Sequence, residues 1–502
     1  MQSSANSGLA TLDLHPGSSG GVGLRRRLAG SLRQAVLDGQ FPPGSRLPSS
    51  RTLASELAVS RNTVLDAYAQ LLAEGYLEGR IGSGTFVSRE LPEEIPRART
   101  TAIPRVRRPQ RAALSARGRQ IAGAYRPMSG DALRAFNPGF PQLDPGLFAA
   151  WWRLAARYGR RASADTLNYG DPAGYRPLRE AIASHVGAAR RVRCTADQVI
   201  VTNGTQQGVA LACHLLLEPG DQVWMEDPGY NGARAAMTSA AARVVPVPVD
   251  DEGLNVDLAI SRAARGRLIY VSPSHQYPLG VTMTLARRLR LLEWAAQSGA
   301  WILEDDYDSE FRHGEQPLPT LQGLDPSARV LYLGTFSKVL FPAIRLGYIV
   351  VPEDLIDAFR QAQLALGNRV PTADQATLAA FIADGHFIRH VRRMRRLYQD
   401  LRAVLDEAIR QRLGSSLRLT GAAVGLHAVG RLADGVDDDG ASRRALAAGV
   451  DAPALSNYYL GTPSVSGLVL GYGHLDPASI RSGVDRLAAA IRKADTPRER
   501  IR

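Results

Sequence analysis

Residues 334–348 read GTFSKVLFPAIRLGY, and the run immediately before them, 329–333, is RVLYL. A short apolar run that stops at Gly-Thr predicts a strand, and Lys338 then lies just beyond its carboxyl end. Open α/β sheets bind their ligands at such ends. Thr335 and Ser337 add two hydroxyls there, and Arg345, seven residues past the lysine, adds a guanidinium. An amine, hydroxyls and a guanidinium are the groups needed for a Schiff base beside a bound phosphate. Alone, a loop lysine is more often a surface charge; its neighbours favour chemistry.

Working outward, similar runs recur at 198–202 (QVIVT), 222–225 (QVWM), 267–271 (RLIYV), 300–304 (AWILE) and 345–351 (RLGYIVV). Helical stretches separate them, such as Leu285 to Ala296, which Gly299 ends. That alternation predicts an α/β domain with a largely parallel sheet. Two further strand ends carry polar groups. In AWILEDDYDSEF the run ends at Glu304, followed by Asp305, Asp306, Tyr307 and Asp308. A carboxylate there can pair with a protonated pyridine nitrogen, the arrangement that makes pyridoxal phosphate an electron sink; the plainer alternatives are a metal site or a solvated acidic loop. At Asn203-Gly204-Thr205-Gln206-Gln207 a helix opens. Gly204 permits close backbone approach, and a helix N-terminus favours a phosphate. Beyond about residue 353 the pattern turns helical and then mixed, which predicts a smaller C-terminal lobe over 353–502.

The N-terminal side has another organisation. Leu24, Leu28, Leu32, Ala35 and Val36 recur at helical spacing up to Gly39, and Pro42-Pro43-Gly44 turns the chain. Ser49 or Ser50 can cap a short helix, and Ser60 another whose apolar face is Val64, Ala67, Tyr68, Leu71 and Leu72. Tyr76-Leu77-Glu78 and Thr85-Phe86-Val87 flank a glycine-rich turn. Three helices and a hairpin over 20–88 predict a winged helix-turn-helix. Its second helix would enter the major groove with Ser60, Arg61, Asn62 and Thr63 leading. Ser49 and Arg51 at the preceding helix start suit phosphates, and Arg80 in the wing suits the minor groove. The plain alternative is a polar helix start on a module that contacts protein.

The chain has 502 residues and a formal net charge of +13, but the charge is concentrated. Residues 89–126 carry ten arginines against three glutamates, with Pro92, Pro96, Pro104 and Pro109, whereas residues 1–88 are only +2. The stretch 89–130 therefore reads as an extended linker, either touching nucleic acid or serving as a solvated spacer. RHVRRMRR at 389–396 reads as a solvated helix, with a DNA-backbone contact as the rival. Two cysteines supply no disulfide framework, no metal site is expected, and there is no apolar run of spanning length. A cytoplasmic protein without a membrane partner is the expectation.

Residues 24–88, centred on FPPGSRLPSSRTLASELAVSRNTVLDAYAQLLAEGYLEGRIGSGTFV, resemble the winged-helix domain of the GntR regulators. From about 131 to 502 the chain resembles fold-type I aminotransferases. EDPGY, SPSHQYPLG, EDDYDSEF and GTFSKVLFPAIRLGY, joined to the winged helix, are similar specifically to the MocR family of pyridoxal-phosphate-dependent regulators. The resemblance implies pyridoxal phosphate in Schiff-base linkage to Lys338, with Asp305 on the pyridinium, Tyr307 near the phenolic oxygen and Tyr230 stacked on the ring. Gly204, Thr205, Gln206, Thr335, Ser337 and Arg345 would hold the phosphate. It also implies a homodimer on a double-stranded DNA operator, with an amine, an amino acid or pyridoxal phosphate itself as effector. The chain departs from the aminotransferase pattern twice. Gln276-Tyr277 precede Pro278 where an asparagine is usual, and Val469 stands where a carboxylate-binding arginine is expected. The rival reading is an active aminotransferase with a fused DNA-binding domain; on the regulator reading, transamination is at most a weak half-reaction.

Overall fold

The computed structural model describes residues 21–80, 82–92, 114–124, 133–162, 167–263, 265–312, 319–414, 416–421 and 424–492. Backbone contacts divide the chain into two units, Met1–Ala112 and Ala113–Arg502.

In the first unit α1 (Gly21–Leu37), α2 (Ser50–Glu56) and α3 (Arg61–Ala73) precede a hairpin of β1 (Leu77–Arg80) and β2 (Gly84–Val87). One core holds Leu28, Leu32 and Val36 from α1, Leu53 from α2, and Val64, Tyr68 and Leu71 from α3. At roughly 1.5–3 kcal/mol for each large side chain removed from water, this stripe holds the three helices together. Tyr68 Oη donates to the Pro48 carbonyl at 2.8 Å, tying α3 to the turn that precedes α2. The hairpin is antiparallel, running from Leu77 opposite Val87 to Arg80 opposite Gly84. Arg46 pairs with Phe86 through an isolated antiparallel bridge. The architecture is a winged helix-turn-helix.

The second unit is built on an eight-stranded sheet in the order β3-β10-β9-β8-β7-β4-β5-β6. These are β3 (Val199–Thr202), β4 (Gln222–Asp227), β5 (Arg243–Asp250), β6 (Gly253–Leu254), β7 (Gly266–Val271), β8 (Trp301–Asp306), β9 (Val330–Thr335) and β10 (Gly347–Val350). The pairings β5–β4, β4–β7, β7–β8 and β8–β9 are parallel, and β10 runs antiparallel to both β3 and β9. This is the α/β architecture of fold-type I. The sequence reading missed β5, whose VVPVPV core includes Pro246 and Pro248. Proline has no N–H for a ladder, so β5 sits next to the sheet edge, beyond which β6 pairs only at Val249 and Asp250.

Two expected boundaries change. Ala116–Ala124 lies inside the predicted linker but forms a helix that packs against Asn231–Ser239 of the second unit. Its alanines, arginines and glutamine are good helix formers, and Ser115 Oγ accepts from Gly118 N at 3.0 Å. Residues 93–113 and 125–132 lie outside the described residues. The smaller lobe also starts later than 353. Phe359, on the helix Ile356–Ala365, packs with Ile200 and Leu333 of the large sheet, and Gln363 Nε2 donates to Val201 O at 2.8 Å. The lobe is an antiparallel sheet of β11 (Leu417–Thr420), β12 (His427–Leu432) and β13 (Gly467–Gly471), joined by Phe136 through a bridge to Gly471. The basic run 389–396 lies on the long helix His386–Arg412 and buries Val391 and Met394, leaving Arg392, Arg393 and Arg396 exposed. No helix among the described residues is long and apolar enough to cross a membrane.

Candidate functional site

The three strand ends singled out in the sequence line one cavity of about 710 Å3 in the second unit. Strand periodicity sorts the acids at the end of β8. Side chains alternate between faces, so Glu304 and Asp306 point one way and Asp305 the other. Glu304 accepts from the backbone N–H groups of Leu321 and Gln322, both at 3.0 Å. Asp306 accepts from Arg190 Nε at 2.8 Å and Tyr332 Oη at 2.6 Å, and against its desolvation the Arg190 guanidinium holds it below the usual carboxylate range. Both are structural. Asp305 lines the cavity and accepts from Tyr270 Oη at 2.5 Å, while its Oδ1 is buried with no partner. Burial pushes its carboxyl up to about 7, against the opposing hydrogen bond from Tyr270.

Lys338 follows β9, and its Nζ donates to the Gly139 carbonyl at 2.9 Å. Burial lowers its ammonium from the ordinary lysine value, against the nearby Asp308 charge. Thr335 Oγ1 is spent locally, accepting from Ser337 N at 3.1 Å, whereas Ser337 Oγ is buried without a partner. Gly204, at φ +79, is the N-cap of the helix Thr205–Leu216. A side chain on Gly347, opening β10, would stand 2.8 Å from Gly204 Cα, so two glycines let these segments pass. Arg345, itself left-handed at φ +49, reaches the Asn203 carbonyl at 3.3 Å. Gln206 turns its Nε2 to Gly232 O at 2.7 Å, so its side-chain donor is spent and its contribution to an anion is the helix-start N–H.

An aromatic wall completes the cavity. Tyr230 and Tyr277 meet edge to face at 6.0 Å, and Tyr277 Oη donates to Tyr458 Oη at 3.2 Å. Of the two residues before Pro278, Tyr277 lines the cavity, whereas Gln276 is buried and its Nε2 donates to the Pro228 carbonyl at 2.9 Å. Tyr307 Oη lies 3.0 Å from His275 Nδ1, which is 2.9 Å from Asp308 Oδ1. His427 joins this buried group, and burial lowers it to about 4, with His275 adding to the effect. The ligand atoms of His275, Asp308 and His427 lie within 4.8 Å of one another, but hydrogen bonds already engage them, His427 Nε2 lying 3.1 Å from Pro278 O. Sequence reasoning missed Tyr270, His275, His427 and Asn137. Only Tyr270 left a signal: it is the polar-tipped residue of the RLIYV strand, one strand over from Asp305.

In the first unit the two helix starts expected to meet DNA lie side by side, with Arg61 Nε 3.4 Å from Ser50 Oγ. Arg51, Arg61 and Asn62 are exposed. Thr63 requires a correction. It is 8% exposed, and its hydroxyl and backbone N–H both close on Ser60 Oγ, at 2.8 and 3.1 Å. The cap consumes Ser60 and Thr63 side chains alike. Ser49 likewise caps α2, accepting from Thr52 N at 3.1 Å. Arg80 lies over the Phe86 ring at 4.5 Å and pairs with Glu78 at 2.7 Å, which holds it extended along the wing. Arg46, exposed beside Gly84, is a wing cation the sequence reading overlooked.

Residues 24–87 match the gntR family of bacterial regulatory proteins, and residues 137–433 match aminotransferase class I and II. The chain is 40% identical over 470 residues to the probable rhizopine catabolism regulatory protein MocR of Rhizobium meliloti, covering 94% of each. It is 32% identical to the pyridoxine biosynthesis transcriptional regulator PdxR of Corynebacterium glutamicum, covering 93% of this chain and 95% of that one. Among solved structures, the α-aminoadipate aminotransferase LysN of Thermus thermophilus, complexed with N-(5'-phosphopyridoxyl)-L-leucine, superposes with a TM-score of 0.66 at 28% identity, over 76% of this chain and 95% of that one.

Proposed function

The chain belongs to the MocR family of transcriptional regulators, a GntR-type winged helix joined to an aminotransferase class I/II domain, and from that premise we propose that it reads an operator under the control of pyridoxal phosphate held at Lys338. The observation that carries the proposal is the pair of orphaned atoms beside Lys338. Asp305 Oδ1 and Ser337 Oγ are buried without partners, and both residues line the cavity. A buried polar atom left unsatisfied costs about 1–3 kcal/mol. A pyridinium N–H satisfies the first and a phosphate oxygen the second, so the residues fit the group.

When bound, this cofactor supplies a carbonyl that exchanges between amines and a ring that takes up electrons. Lys338, with its ammonium destabilised by burial, offers the resident amine. Asp305, oriented by Tyr270, holds a proton at the ring nitrogen. Tyr307, backed by His275, donates toward the ring's phenolic oxygen, and Tyr230 covers a face. Gly204, Thr205 and Gln206 present helix-start N–H groups to the phosphate, with Thr335, Ser337 and Arg345 beside it. Lys338 would yield the carbonyl to an incoming amine or amino acid, and cofactor supply itself would set how much protein is loaded. Contacts that differ between two arrangements of the protein then shift operator affinity. Arg61 and Asn62 read base edges, Arg51 the phosphates near α2, and Arg46 and Arg80 the wing's groove. The assembly is a cytoplasmic homodimer whose two winged helices take paired half-sites. The aminotransferase reading is disfavoured by Val469, which is fully buried against Val429 and Leu455.

Purified protein loaded with pyridoxal phosphate is expected to show a visible absorption band that Lys338→Ala abolishes. A band that survives the substitution contradicts the assignment of Lys338.

A further inference from the structure

Beyond the cofactor-holding groups, the cavity wall holds buried acceptors left without donors. Asn137 is 4% exposed and lines the cavity two residues before the carbonyl that holds Lys338. Its Nδ2 donates to Asp451 Oδ2 at 2.5 Å, which fixes the orientation of the amide. Asn137 Oδ1 is thereby left buried without a partner. Asn231 repeats the arrangement: its Nδ2 donates to Asn457 O at 3.2 Å, and its Oδ1 is an orphan too. Asp451 lines the same cavity, and burial pushes its carboxyl up, against the Asn137 hydrogen bond. A cation or a donor delivered by a ligand would relieve that cost.

Three guanidiniums line the cavity. Arg443 is paired with Asp439, and Arg345 is turned to Asn203 O. Arg234 is half-buried, and burial lowers its guanidinium, against the Asp227 charge. Arg134, whose charge reaches Asp451, points to the Leu446 carbonyl at 3.2 Å. Val469, with Val429 and Leu455, fills its part of the lobe with hydrocarbon. A ligand here meets acceptors and aromatic faces.

We propose that Asn137, Asn231 and Asp451 form an effector subsite for an amine that carries further hydroxyl or ammonium donors and no carboxylate. The inference rests on pyridoxal phosphate at Lys338 and narrows the ligand of that same site. Two acceptor amides and a carboxylate accept donors from such a molecule, whereas an α-carboxylate placed against them would face Asp451 as a like charge. Tyr277 and Tyr458 supply the faces that suit a cation.

The test uses the loaded protein and matched pairs: ethanolamine against L-serine, and 1,4-diaminobutane against L-ornithine. Changes in the visible band report displacement of Lys338. The carboxylate-free member of each pair is expected to bind at least about tenfold more tightly, a difference of about 1.4 kcal/mol. Asp451→Asn and Asn137→Leu should narrow that ratio while the band in the absence of amine persists, and Asp451→Arg should turn it toward the amino acids. The proposal is overturned if the amino acids bind as well or better, if none of the four amines alters the band, or if both Asp451→Asn and Asn137→Leu leave the ratio unchanged. Failure of the underlying reading looks different: the wild-type protein would acquire no visible band with pyridoxal phosphate, or Lys338→Ala would keep it.

Discussion

The winged-helix unit and the cavity at the strand ends draw on similar side chains under opposite solvation. In the winged helix, Arg51, Arg61 and Asn62 stand in water on helices whose inward faces are taken up by Leu53, Val64 and Tyr68. Their free energy of interaction is available only when DNA arrives. In the cavity, Asp305, Lys338 and Ser337 are already desolvated, and two of them hold atoms with no partner. Part of the cost of binding has been met during folding, at the expense of stability. The exposed surface gives up little stability and relies on placement; the buried one is preorganised and strained electrostatically.

Adjacent residues offer the sharpest way to break this comparison. Asp306→Ala should cost about 3–5 kcal/mol in thermal or denaturant unfolding, because it leaves Arg190 buried without its carboxylate. Asp305→Ala should cost far less in the cofactor-free protein and instead weaken pyridoxal-phosphate binding. If the two variants lose equal stability, the division between structural and cofactor-facing acids on β8 is wrong.

On the exposed side, Arg61→Ala should weaken operator binding by about 1–3 kcal/mol and relax base preference, as read by binding to operator and random duplexes. Thr63→Val should cost about 1 kcal/mol of stability through the lost hydroxyl bond to Ser60 Oγ and leave base preference as it is. An unchanged affinity in the arginine variant would move the reading helix elsewhere.

A pH series sharpens the same contrast. Asp305 and Glu226, the latter buried on β4, are both raised to about 7 by burial, so each binds more protons in the folded protein than in the unfolded chain between about pH 4 and 7. Each should therefore remove up to about 1.4 kcal/mol of stability per pH unit as pH rises through that window, while His427, lowered to about 4, adds stability over the lower part of it. Asp305→Asn should remove its share of the slope. An Asp305→Asn profile that runs parallel to the wild type between pH 4 and 7 would mean that Asp305 is not held neutral.

The sequence was most informative where local rules dominate. Caps at Ser49 and Ser60, strand-ending polar residues and the position of Lys338 are all short-range patterns, and the structure brings the three strand ends into one cavity. It was least informative where distant segments meet. Asn137 and Asp451 are 314 residues apart, and no pattern in either stretch announces the other. Tyr270 and Asp305 become neighbours only through sheet order. Composition misled at 116–124, where a segment read as linker caps and packs as a helix. Thr63 was legible as a helix-start residue, but whether its hydroxyl faces DNA or the cap is a matter of rotamer, which sequence does not encode.

On the proposed function, the cofactor at Lys338 couples the second unit to operator binding. The direct test measures affinity for a duplex selected from a random pool, with and without pyridoxal phosphate, for the wild-type protein and for Lys338→Ala. The account predicts that the cofactor changes wild-type affinity and leaves that of Lys338→Ala where it was. Equal affinities for the wild-type protein in both conditions, with its visible band confirming loading, would contradict it.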